Sequence, residues 1–171
     1  TANVTSMSAM FYNCYALQSV PLFNTAKVTD VSSAFFGCSE LLSVPLFNTA
    51  NVTTANNMFN SCSSLQSVPT FNTANVRHMV SMFSTCRSLR SIPAMNLSSN
   101  AVSSGSYTST FTSCPSITRI AANPGPKYTF TVANLQLSAT ALNEIYTNLP
   151  SVSSQTITVT GNYGTSSDNP T

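Results

Sequence analysis

LQSVPLFNTAKVTDVSSAFF, Leu17 to Phe36, decides the fold because it recurs. Shifted by 24 residues it returns from Leu41 as LLSVPLFNTANVTTANNMF, then from Leu65 as LQSVPTFNTANVRHMVSMF. A degraded copy, LRSIPAMNLSSNAVSSGSYTSTF, starts at Leu89. Self-similarity at a fixed period of this size marks a stack of repeats and outranks any local motif.

The columns are sharp. Valine recurs at Val4, Val28, Val52 and Val76, phenylalanine at Phe11, Phe35, Phe59, Phe83 and Phe111, and cysteine at Cys14, Cys38, Cys62, Cys86 and Cys114. Leu17, Leu41, Leu65, Leu89 and Ile117 follow, then Val20, Val44, Val68, Ile92 and Ile120. After them come Pro21, Pro45, Pro69 and Pro93, then Phe23, Phe47, Phe71 and Met95, each with an asparagine behind it. From Cys86 to Cys114 the step is 28 rather than 24, which places a four-residue insertion near Ser98 to Ser106.

One 24-residue unit cannot bury its apolar side, whereas stacking covers both flanks of every interior unit. Val28, Val31, Ala34, Phe35, Cys38, Leu41, Val44, Leu46 and Phe47 are expected to form one core layer. Within the unit, Thr29 and Asp30 through Val31, Ala34 and Phe35 to Gly37 predict a short helical turn from the i, i+3, i+4 apolar spacing. Leu17 to Val20 predicts a strand closed by Pro21, so successive units build one parallel sheet along one side.

Composition bounds the function. The chain has 171 residues, a net charge of +2 and a charged fraction of only 6%, against roughly 25% in typical globular proteins. Serine, threonine and asparagine supply the polarity instead. So small a charge, without a basic run, argues against nucleic acid as a partner. No stretch approaches the roughly 18 apolar residues of a membrane span, so membrane insertion is not expected. Thr1-Ala2-Asn3-Val4-Thr5 matches Thr49-Ala50-Asn51-Val52-Thr53, and the expectation is a chain that belongs to a longer one or to a homo-oligomeric assembly.

Five cysteines at the repeat spacing, with one histidine and no C-x-x-C pair, argue against a zinc site. Parallel side chains on successive units point the same way, so the expectation is a buried ladder of free thiols acting as small hydrophobes.

The columns from Cys14 to Cys86, with their Leu, Val-Pro, Phe-Asn-Thr and Met-Phe elements, resemble the bacterial surface-antigen (BspA-like) leucine-rich repeat family, which also occurs in tailed-phage virion proteins. The likeness covers about residues 1 to 120. It implies an α/β repeat solenoid: a leucine-rich-repeat-like right-handed coil with one parallel β-sheet face and short helical turns on the other. The Val-Pro-Leu-Phe-Asn-Thr wording is closer to the phage versions. Two settings therefore stay open, a virion module and a bacterial cell-surface adhesin, with other virion or surface subunits, or a host glycan or protein, as partners.

Residues 121 to 160 depart from the pattern. Asn123 to Pro126 makes a turn, Thr129 to Val132 alternates as a strand, Ser138 caps a helix from Ala139 to Asn148, and Gln155 to Thr160 alternates as a second strand. Leu135, Leu137, Leu142, Ile145 and Leu149 face inward in this reading, which makes the segment one or two terminal repeats. Residues 161 to 171 read as a linker or coil.

Hydrolase and phosphate-binding signatures are absent. Asp30, Glu40, Glu144 and Asp168 are widely spread, and His78 stands beside no carboxylate or nucleophile column, so an enzyme, a metal centre and a cofactor are not expected. Binding is the alternative. Gln18, Ser19, Leu42, Ser43, Gln66, Ser67, Arg87, Arg90, Ser91, Thr118 and Arg119 should line the outer side of the strands, a serine ladder flanked by amides. Arg77, Arg87, Arg90 and Arg119 cluster in the fourth and fifth units, where guanidinium forks suit phosphate or carboxylate groups of a cell-surface polysaccharide. Asn24, Asn48, Asn72 and Asn96 should bond their own backbone and bridge successive turns.

Overall fold

The computed structural model describes residues 3–97, 107–125, 128–151 and 156–163. The insertion near Ser98 to Ser106, together with Pro126, Gln155 and most of the 161 to 171 tail, lies outside the described residues. Successive units lie one on another, tied by backbone hydrogen bonds between residues about one repeat apart.

Those bonds depend on the segment expected to be a helical turn, which is a run of β-turns. Within it alternate N–H groups close turns: Ala34 donates to the Val31 carbonyl, Phe36 to Ser33 and Cys38 to Phe35, each at 3.1 Å. The intervening N–H groups cross to the next coil, from Ser33 to Asn56 at 2.8 Å, Phe35 to Met58 at 2.9 Å and Gly37 to Asn60 at 2.8 Å. A helix would have kept every bond within one segment. Left-handed backbone at Ser33 (φ 54°) and Gly37 (φ 73°) breaks that pattern, and the same pair recurs at Ala9 and Asn13, Asn57 and Ser61, Ser81 and Thr85, and Ser109 and Ser113. A Cβ on Gly37 would fall 2.3 Å from Asn13 Oδ1, so the glycine also permits a close approach between coils. The apolar spacing was sound nonetheless, since Val31, Ala34, Phe35 and Cys38 are buried.

The expected single sheet is also reduced. Among the described residues of the 24-residue units and their enlarged successor, strands pair in parallel between β1 (Ser91–Met95) and β2 (Arg119–Ala122), with Ser91 opposite Arg119, Ile92 opposite Ile120 and a register shift before Met95. In the earlier coils the corresponding residues are joined by single rungs, such as Leu42 N–H to the Gln18 carbonyl at 3.1 Å. Proline follows in each of the first four units and has no N–H with which to extend a ladder, whereas Ala121 takes that place in β2. A second line of parallel bridges, Ser6 to Asp30 to Thr54 to His78, runs elsewhere on the coils.

Inside, Phe11, Phe35, Phe59, Phe83 and Phe111 stack with neighbouring centroids 5.3–5.8 Å apart and planes within 13°. Separations well beyond carbon–carbon contact show that the rings are offset, the favourable parallel arrangement, worth about 0.5–1.5 kcal/mol per pair beyond burial. Of the expected core layer, Leu46 is the exception at 59% exposed, and Leu22 matches it at 68%. Neighbouring side chains of extended backbone face opposite ways, so Leu46 turns out beside buried Phe47. In the first coil Val4, Phe11, Leu17, Val20 and Phe23 are only partly buried.

Each buried thiol donates to the carbonyl of the preceding coil's phenylalanine, Cys38 to Phe11 at 3.1 Å, Cys62 to Phe35 and Cys86 to Phe59 at 3.0 Å, and Cys114 to Phe83 at 2.8 Å. All five cysteines are free, and Cys14 is exposed. Burial is the main reason the Cys38 and Cys114 thiols are pushed up to about 11, and it raises Cys62 and Cys86 as well.

The asparagines behave in part as expected. Asn24, Asn48 and Asn72 accept from the N–H two residues on, at 3.1–3.2 Å. Bridging between coils falls instead to the buried threonines beside them, whose hydroxyls donate to the next coil: Thr25 to the Asn48 carbonyl at 2.9 Å, Thr49 to Asn72 at 3.0 Å and Thr73 to Asn96 at 3.1 Å.

Toward the C-terminus, β3 (Phe130–Thr131) pairs in parallel with β4 (Ile157–Thr158), and α1 (Ala139–Thr147) is capped by the Ser138 side chain accepting from Ala141 N–H at 3.2 Å. The crossing pattern returns: Phe130 donates to Thr156, Val132 to Thr158 and Asn134 to Thr160, at 2.8–3.0 Å. Leu135, Leu137, Leu142 and Ile145 are buried, and Leu149 packs on the core.

Thr49→Val should therefore lower stability by about 1 kcal/mol in chemical denaturation, and Asn48→Ala by a similar amount; unchanged midpoints would remove these bonds from the account of stability. On the native protein at pH 8, Ellman's reagent should label Cys14 fast and the four buried thiols only on unfolding. Because the folded thiols ionise later than unfolded ones, the stability they add is present below about 9 and is lost as the pH rises toward about 11, readable as a falling melting temperature.

Candidate functional site

The residues after each cysteine form a common outer side because single rungs hold them in register: Gln66 N–H to the Leu42 carbonyl at 3.1 Å, Arg90 to Gln66 at 3.4 Å and Thr118 to Arg90 at 2.9 Å. Gln18, Ser19, Leu42, Ser43, Gln66, Ser67, Arg87, Arg90, Ser91, Thr118 and Arg119 are all exposed.

Hydroxyls on this side divide into two sets. Those of Ser39, Ser63, Ser116 and Thr118 turn back and donate to carbonyls of the preceding coil, at 3.3, 3.2, 2.7 and 3.2 Å. They hold coils together. The hydroxyls of Ser19, Ser43, Ser67 and Ser91 have no hydrogen-bond partner among the described residues and stand toward solvent. A ladder of hydroxyls at one-coil intervals can donate to and accept from a partner's polar groups.

The arginine cluster is less concentrated than the sequence suggests. Arg119 is gripped by Glu144 of α1, Nε to Oε2 at 2.8 Å and Nη2 to Oε1 at 2.6 Å. That hydrogen bond is the main reason the Glu144 carboxyl lies below its ordinary value and the Arg119 guanidinium above its own. Arg77 belongs to another column, its N–H donating to Thr53 at 2.8 Å as Thr53 N–H does to Thr29. Of the set, Arg87 and Arg90 remain near the serine ladder without a charged partner among the described residues.

His78 is half-buried in the bridge column beyond Thr54, and its carbonyl accepts from Ala55 N–H at 2.8 Å. Asp30 accepts from Ser32 N–H at 2.8 Å. Among the described residues no group of three or more His, Cys, Asp or Glu side chains could hold a metal ion, and no helix is long and apolar enough to cross a membrane.

Two features of the surface escaped the sequence reading. Leu22 and Leu46 add exposed apolar area to that of the expected Leu42, and the Leu22, Leu46, Thr70, Ala94 column carried the signal, since a core column does not accept threonine and alanine so freely. Glu144 had no signal, because its meeting with Arg119 depends on where α1 packs against β2.

A family model described as "Mycoplasma protein of unknown function, DUF285" matches residues 5–119. That span agrees with the BspA-like repeat resemblance and stops where the units lose their pattern. No curated protein matches the chain, and no solved structure does.

The Arg119–Glu144 pair, with its depressed carboxyl, adds stability above the ordinary carboxylate range and loses it as the pH falls through the lower folded value. Glu144→Gln should therefore melt slightly below the parent protein at pH 7, with the gap closing in acid and in high salt. A gap that persists unchanged in acid would assign the effect to packing.

Proposed function

We propose, from the premise that this chain belongs to the DUF285 family, that it is a non-enzymatic display and adhesion module presenting a polar coil face to another protein or to a glycan. The observation that carries this is the outward column Ser19, Ser43, Ser67 and Ser91, whose hydroxyls have no partner among the described residues. Exposed Leu22, Leu42 and Leu46 add contact area of the kind found at protein interfaces. With little charge to steer encounters, recognition rests on hydroxyl and amide hydrogen bonds.

The setting we favour is the particle of a tailed bacteriophage, as a tail-fibre, receptor-binding or decoration protein, on the Val-Pro-Leu-Phe-Asn-Thr wording of the repeats. The second reading, a bacterial cell-surface adhesin, is favoured by the family description, which names a Mycoplasma protein.

Gold-labelled antibody against this chain, viewed on source material by electron microscopy, separates the settings: label on particles supports the first and label on cell envelopes the second. For the face itself, Ser43→Glu with Ser67→Glu should weaken adhesion of the purified protein to target cells about tenfold or more, because two buried carboxylates would lose hydration in the contact. Full adhesion by a variant that melts like the parent would refute the serine ladder as the contact.

A further inference from the structure

One junction in the stack is unlike the others. From the first coil to the fifth, a recurring set of N–H groups crosses to the next: Ala9, Phe11 and Asn13 donate to Ser32, Ala34 and Phe36, and the set recurs down to Ser81, Phe83 and Thr85 donating to Thr108, Thr110 and Thr112, with Met7, Val31 and Ala55 adding a fourth crossing in the first three coils. The fifth coil has the same backbone, with left-handed Ser109 and Ser113. Its N–H groups at Ser109, Phe111 and Ser113, aimed by that backbone at the following coil, find no acceptor among the described residues. Opposite them, Thr131 and Ala133 stand between residues whose N–H groups bond onward to the last coil, so alternation turns their carbonyls toward the fifth. These carbonyls accept no hydrogen bond among the described residues. The ring ladder turns at the same place: Phe83 and Phe111 are parallel within 4°, whereas Phe111 meets Phe130 at 90°.

The splayed junction opens as a cleft of about 440 Å³ lined on one side by Arg87, Phe111 and Ser113 and on the other by Thr131 and Ala133. That volume lies within the range of small-ligand pockets, roughly 300–1,000 Å³. One wall offers backbone donors, the other backbone acceptors; hydroxyls of Thr112, Ser113 and Thr131 stand between, Pro115 and Ala133 add apolar surface, and Arg87 supplies a positive charge at the rim.

We propose that this cleft is a binding site for an acidic sugar unit, its carboxylate held by Arg87 and the vacant N–H groups and its ring hydroxyls by the carbonyl wall. The chemistry is specific in two respects. Donors and acceptors on facing walls suit a molecule dense in hydroxyls, and a guanidinium beside free N–H groups suits a carboxylate. The site shares Arg87 with the outer side that carries the serine ladder, but its backbone walls lie elsewhere, and it stands whether or not that ladder is an adhesive face.

The test is a titration of the full chain with glucuronate and with N-acetylneuraminate, followed by backbone amide NMR and calorimetry, with glucose and inorganic phosphate as comparison probes. Expected are saturable shifts of the Phe111 and Ser113 amides with at least one acidic sugar, about tenfold weaker binding in Arg87→Ala, and loss of binding in Ala133→Trp, which fills the cleft. A melting temperature like the parent's confirms that each variant is folded. Shifts confined to other residues, unaltered affinity in folded Arg87→Ala and Ala133→Trp, or equal affinity for glucose or phosphate would overturn the assignment.

Discussion

Everything in this molecule depends on alternate backbone N–H groups leaving their own coil. A turn that kept all its donors would be a closed helix with nothing to offer its neighbour. The left-handed residues at two positions per coil reverse that, at about 1–2 kcal/mol each for a side-chain-bearing residue, and in return alternate N–H groups of each of the first four coils cross to the next. Those crossings fix the distance and rotation between coils. The phenylalanines can then stack, the thiols reach the preceding carbonyls, and the buried threonine hydroxyls find the next coil's backbone.

Polar chemistry is accordingly divided between inside and outside. Buried thiols and threonine hydroxyls donate to backbone carbonyls of adjacent coils, which satisfies groups that would otherwise be costly to bury. Outward hydroxyls in the serine column are left for solvent or a partner. Charge takes little part: the Arg119–Glu144 pair secures α1 against the adjoining coil at the surface, and among the described residues the buried side chains include no Asp, Glu, Lys or Arg.

The C-terminal part follows the same rule with a longer coil. Asn134 and Gly161, both left-handed, occupy the places that Asn13 and Gly37 hold earlier, and Asn134 Oδ1 would lie 2.2 Å from a Cβ on Gly161 as Asn13 Oδ1 does for Gly37. Where the short and long coils meet, the N–H groups cannot find their usual acceptors. The cleft is the geometric consequence of that mismatch.

Sequence by itself determined the period, the inward columns, the free thiols and the Ser138-capped helix, because burial repeats and capping are local in origin: each depends on residue type and spacing alone. It could not tell a β-turn run from a helical turn, since Val31, Ala34, Phe35 and Cys38 point inward in either, and the choice rests on whether N–H groups bond within the coil or beyond it. It likewise placed Leu46 inside, because an apolar residue beside a proline carries no label for the direction of its side chain. Only the tertiary structure decided that Arg119 is neutralised by Glu144 and that the fifth coil's N–H groups are left open, for both follow from how elements far apart in the chain come to lie against one another.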